Sequence, residues 1–133
     1  MNKKLTIPVI TLCLSFCFNT GFTQGDDVIA STKTGMKSGS VETISQYFND
    51  LVEINFNDEK SSYNKQQAEG VLSDFFAKYP ATDFQYVHRG SSPEGLQFAI
   101  ATYSYRGGKF RVFMLIKKKQ GKHIIDMLDI GNE

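Results

Sequence analysis

Tryptophan is absent, cysteine and histidine occur twice each, and only three prolines interrupt the 133 residues. Two histidines are too few for a His-rich metal site, and neither a His–Glu helical spacing nor a calcium-binding loop occurs. No metal or other cofactor is therefore expected. A phosphate-binding loop, a dinucleotide fingerprint and the Gly-x-Ser-x-Gly nucleophile turn are also missing, which speaks against kinase, dehydrogenase and hydrolase chemistry. A formal net charge of +1 lacks the strong basic field of a dedicated nucleic-acid binder, so no nucleic-acid partner is expected. What is present is ordinary apolar content, 41%, with 11 Phe and 6 Tyr. That is the composition of one packed domain rather than of a disordered chain.

The first 23 residues read as an export signal. Lys3 and Lys4 precede the uncharged apolar run Leu5–Phe18, and Gly21 and Thr23 supply small residues before a cut after Thr23. The run is shorter than the roughly 20 residues needed to cross a bilayer, so a retained membrane anchor is the lesser alternative. Lipidation at Cys17 is a further alternative, but Phe16 stands where a small residue belongs. Cleavage would leave Gln24 first in a 110-residue chain with 13 basic and 14 acidic residues. Both cysteines, Cys13 and Cys17, would leave with the signal. A mature domain at 24–133 thus has neither a disulfide nor a thiol nucleophile, and its own core must hold it together.

Within that domain, Asp26-Asp27 suit a helix start and Gly35 its end. After the connector Lys37-Ser38-Gly39, Ser40 caps a second helix carrying Val41, Ile44, Tyr47, Phe48 and Leu51, broken at Asn49-Asp50. Val52, Ile54 and Phe56 then alternate with polar residues as in a half-buried strand, and Asn57–Ser62 reads as a polar turn. A third helix spans Asn64–Lys78, with Val71, Leu72, Phe75, Phe76 and Tyr79 on one stripe and Pro80 beyond its end. Four strands follow. Phe84, Tyr86 and His88 share a face of the first; Leu96–Tyr105, Phe110–Lys117 and His123–Ile130 are the others. Gly107-Gly108 and Gln120-Gly121 make the tight turns between the last three, which are therefore antiparallel neighbours. Helices segregated from a meander indicate an α+β fold, with helices on a curved, mainly antiparallel sheet and a pocket between the layers.

Ser45–Asp50 followed by Val52-Glu53-Ile54 resembles the nuclear-transport-factor-2-like superfamily of cone-shaped α+β rolls. Gln67–Pro80 with Asp74-Phe75-Phe76, the segment Val87–Ser92 and Arg111–Lys119 are similar to a family of small secreted bacterial domains of unknown function, numbered 4783. The likeness covers Asp26–Asn132. It implies a shape and an exported address, and no mechanism. The superfamily holds isomerases, dehydratases and non-catalytic binding modules, so the fold alone selects none of them.

The candidate residues are few. His88 and Asp129 are the groups for acid–base work, in the event that either faces the cone. Alternation places Asp126 on the other face of the last strand, and Arg89 opposite to His88. Tyr47, Phe76, Tyr86 and Tyr103 are the candidate ligand contacts, with Tyr105 beside Tyr103. Lys117-Lys118-Lys119, Lys122, His123 and Arg111 form a basic hairpin region, read as a solvated edge before it is read as an anion patch. Phe110, Val112 and Met114 alternate with Phe113 and Leu115, so both faces of that strand are apolar. A sheet wetted on one side would be polar there, hence the expectation of a homodimer through the sheet face. The function expected is an exported, non-catalytic module that holds a small apolar or amphipathic ligand, or an envelope protein, through its cone and sheet. A small isomerase- or dehydratase-type enzyme and a structural subunit of an envelope assembly are the alternatives.

Overall fold

A computed structural model describes residues 24–133. The expected signal segment, with Cys13 and Cys17, lies outside the described residues. Helix α1 (Gln24–Ser38) and the short α2 (Val41–Ser45) lead into strands β1 (Phe48–Phe56) and β2 (Glu59–Asn64). Helix α3 (Lys65–Lys78) follows, then β3 (Ala81–Ser91), β4 (Gln97–Tyr105), β5 (Gly108–Lys119) and β6 (Lys122–Asn132). The strands form one sheet in the order β2-β1-β6-β5-β4-β3, in which only β1 and β6 run parallel. The chain leaves β2 at one edge of the sheet and enters β3 at the other, with α3 between them.

This is the expected α+β roll, with four local departures. Helix α1 does not stop at Gly35. A Cβ there would lie 2.4 Å from Ile44 Cγ1 and 2.9 Å from the Ser40 carbonyl oxygen, so the glycine serves the close approach of α2 rather than a helix end. Helix α2 ends at Ser45, and Asn49-Asp50 belong to β1 instead of breaking a helix. The polar stretch after β1 is itself a strand, β2, whose residues are nearly all exposed. Its hairpin turns on Asn57 and Asp58, with φ of 48° and 69°, the left-handed pair that matches the twist of a two-residue hairpin. The β4–β5 turn falls on Arg106-Gly107, and positive φ is confined there to Gly108. Gln120 and Gly121, with φ of 51° and 77°, make the β5–β6 turn as expected.

Helix α3 starts at Asn64, whose side chain accepts from the Gln67 backbone N–H at 2.8 Å while the Gln67 side chain accepts from the Asn64 N–H at 3.1 Å. This reciprocal cap satisfies two backbone donors that a helix start otherwise leaves open. The helix buries Ala68, Leu72, Phe75 and Phe76 against the inner face of the sheet. There Phe75 meets Tyr103 at 5.0 Å and Phe110 at 5.5 Å between ring centroids, and Tyr79 meets Phe110 at 4.9 Å. The region where a hollow was expected is thus filled by aromatic rings. Along α1, Val28, Ile29 and Met36 pack onto the same face.

Candidate functional site

Two bulges decide which side chains face the helices. In β3, Tyr86 pairs with Ala101 but His88 with Ile100, so Val87 is an extra residue and the alternation reverses after it. His88 therefore leaves the face of Phe84 and Tyr86 and joins the outer face, its ring 5.6 Å from that of Phe98. Arg89 turns inward and donates to Asp26 of α1 at 2.9 Å. In β6, Ile125 pairs with Ile116 and Met127 with Leu115, which makes Asp126 the extra residue. Ile125, Leu128 and Ile130 are buried inward, while Met127 and Asp129 lie on the outer face. The strict alternation expected for both strands fails at these two positions.

The candidate acid–base groups and the tyrosines are consequently separated by the sheet. Tyr86 and Tyr103 lie on the inner face. The Tyr86 hydroxyl donates to the Ile29 carbonyl at 2.7 Å, and the Tyr103 hydroxyl donates to the Tyr79 carbonyl. Burial pushes both phenols up: Tyr103 to about 12, and Tyr86 further in the same direction. Neither is poised to give a proton near neutrality. Tyr103 is wholly buried, Phe76 is 8% exposed, and the Tyr47 hydroxyl accepts from Ser31 at 3.4 Å.

The four candidate ligand residues do not converge. Tyr86 lines a trough between α1 and β3 with Ile29, Ala30, Lys33 and Arg89. Tyr47 lines a cleft with Asp27, Lys122 and His123, and Phe76 a third with Lys37, Ser73 and Pro80. In the basic hairpin, Lys117 pairs with Asp126 at 3.6 Å and Lys119 with Asp50 at 3.4 Å, so two of its four lysines are held locally. Among the described residues no group of three or more His, Cys, Asp or Glu is placed to hold a metal ion. No helix among them is long and apolar enough to cross a membrane.

What does converge is the outer face. All packing of the helices falls on the other side, so Phe98, Ile100, Phe113, Leu115 and Met127 are left half-buried across the three central strands. Phe98 stacks on Phe113 at 6.1 Å. On β1, Leu51 is 63% exposed, and Glu53 stands beside Met127 at the margin of the strip. At one end of the strip lies a recess of about 360 Å³ lined by Ile100, Arg111, Phe113, Asp129, Gly131 and Asn132. Beside Asp129, Asn55 is buried with its Oδ1 lacking a partner among the described residues. The inward turn of Arg89 and the outward turn of Asp129 escaped sequence reasoning, because nothing in either segment marks a bulge.

Comparison with known proteins agrees with this architecture. A family model described as a domain of unknown function, DUF4783, matches residues 29–131. A DUF4783 family protein from Bacteroides ovatus is similar in structure, with a TM-score of 0.74 and 31% identity over 78% of this chain and 94% of that one. Another from Bacteroides uniformis gives a TM-score of 0.74 at 25% identity, over 80% and 97% of the two chains. An NTF2-like protein of unknown function from Shewanella baltica shares the fold, with a TM-score of 0.62 at 15% identity over 78% and 86%. No match is found among curated proteins.

Proposed function

The chain belongs to the DUF4783 family of domains of unknown function, and from that premise we propose that it is an exported, non-catalytic binding module whose working surface is the outer face of its sheet. The observation that carries the reading is the apolar strip Phe98, Ile100, Phe113, Leu115 and Met127, which none of the described helices covers. One-sided antiparallel sheets are normally polar on the wet side. The occupant we assign is a second copy of the chain, because the strip carries Arg111 and Asp129 together and is therefore complementary to itself in charge. Export is supported by Lys3-Lys4 and the apolar run up to Phe18. The acid–base pair and tyrosine donor of an isomerase or dehydratase lie on opposite sides of the sheet, which removes the support for that alternative. The small-ligand reading is left with separate clefts at Tyr86, Tyr47 and Phe76, each holding one of these residues, and an envelope-subunit role would use the same outer face.

Light scattering on the chain purified after export tests the surface. The expected mass is that of a dimer, and Phe113→Glu, which puts a charge in the strip without touching the buried core, gives a folded monomer. A wild-type chain that stays monomeric at high concentration contradicts the reading. Mass spectrometry of the same material from the native host is expected to find Gln24 first; a retained signal or a lipid on Cys17 contradicts the cleavage.

A further inference from the structure

We propose that Arg111 and Asp129 pair reciprocally with Asp129 and Arg111 of a second copy across a two-fold axis, and that this double ion pair sets the alignment of the two sheets. The proposal rests on the outer-face reading above and deepens it. In a two-fold interface the same patch meets itself. Any charge close to the axis is therefore met by charges from its own neighbourhood, and a patch with both signs side by side satisfies itself.

Arg111 and Asp129 have that placement. Arg111 is paired with Gly131 and Phe113 with Asp129, so the two charged residues sit diagonally across β5 and β6 on the outer face. Among the described residues neither makes an ion pair, whereas Arg89, Lys117 and Lys119 all have carboxylate partners. Both line the same recess, together with the apolar side chains of Ile100 and Phe113. At Gly131 an added Cβ would meet nothing within 4 Å, so the recess is open above β6 and has room for an incoming guanidinium.

Covering this strip with an apolar partner would take two charges out of water uncompensated, which is costly unless each finds an opposite charge. A second copy in two-fold alignment compensates both at once and makes two bonds of the strong, forked Arg–carboxylate kind. A slipped alignment leaves four charges buried. The pair thus acts on registration as well as on affinity.

Sedimentation of Arg111→Asp, Asp129→Arg, the double exchange and an equimolar mixture of the two single variants tests the pairing. In each single variant the facing charges become alike, and the dimer is expected to weaken at least about 100-fold. In a heterodimer of the two single variants, the carboxylate introduced in one chain faces the guanidinium introduced in the other. The unaltered Asp129 of the first likewise faces the unaltered Arg111 of the second. Both pairs are then of opposite charge, so in the mixture a heterodimer returns with an affinity within about tenfold of the wild type; the double exchange restores the homodimer. Recovery in the mixture also shows that the single variants are folded. Single variants that dimerise like the wild type overturn the pairing and leave the outer-face dimer standing. Loss of the dimer without recovery in either the mixture or the double exchange also overturns it. A monomeric wild type overturns both readings.

Discussion

Tyr103 is the residue on which the inner packing centres. Its ring is wholly buried against Phe75, and its hydroxyl is used up on the Tyr79 carbonyl at the end of α3. Burial raises the phenol from its ordinary value of 10.0 to about 12. The unfolded chain therefore loses this proton at lower pH than the folded one, and stability depends on pH between the two values. Below about pH 10 the contribution is fully present, and it is lost as pH rises toward about 12; Tyr86 acts in the same direction. Thermal unfolding is expected to be level with respect to these groups up to about pH 10 and to fall above it. Tyr103→Phe lowers neutral stability by about 0.5–1.5 kcal/mol through the lost hydrogen bond, and makes the alkaline decline shallower. An alkaline slope identical to that of the wild type contradicts the assignment. At this scale the sequence was partly legible: Tyr86 and Tyr103 stood out as candidate contacts, and both hydroxyls are engaged by backbone carbonyls on the inner face. The faces of His88, Arg89 and Asp129 were not legible, since each depends on counting residues across a bulge. One extra residue reverses every later side chain in a strand.

At the scale of elements, α3 was the easiest to read. Its apolar stripe, its Asn64 cap and the Pro80 beyond it all point the same way. The meander was legible for the same reason, as its apolar residues are confined to short segments parted by Gly-containing turns. Strand β2 was not, because Glu59, Lys60, Ser61 and Ser62 are exposed on an edge and carry no hydrophobic period. Its identity comes from pairing with β1, which is a tertiary fact. Gly35 shows a similar ambiguity. A glycine in a helix suggests an end, yet here Ile44 of α2 occupies the place of its missing side chain. Gly35→Ala would gain about 1 kcal/mol in helix propensity, but overpacking against Ile44 and the Ser40 backbone costs about 1–3 kcal/mol. Calorimetry is expected to show a net loss of stability and a lower Tm. A raised Tm would mean that α2 yields freely and that Gly35 is there for another reason.

For the whole molecule, the two faces of the sheet divide the work. The inner face is closed by α1 and α3 and filled by aromatic side chains, so it stabilises the fold. The outer face keeps an apolar strip and an unspent pair of opposite charges, so it is the face we propose for a partner. That division was visible in outline in β5, where Phe110, Val112 and Met114 alternate with Phe113 and Leu115. The hollow expected in the cone is instead occupied by Phe75, Tyr103 and Phe110.

Hydroxyl-radical footprinting across a concentration series tests that division most directly. Met127 and Phe113 report the outer face, and Val87, 63% exposed at the bulge of the edge strand, serves as the reference. As concentration rises through the association range, oxidation of Met127 and Phe113 is expected to fall several-fold while that of Val87 stays constant. Unchanged oxidation of both strip residues, with protection appearing instead at Tyr86 and Ile29 in the trough, would contradict the account.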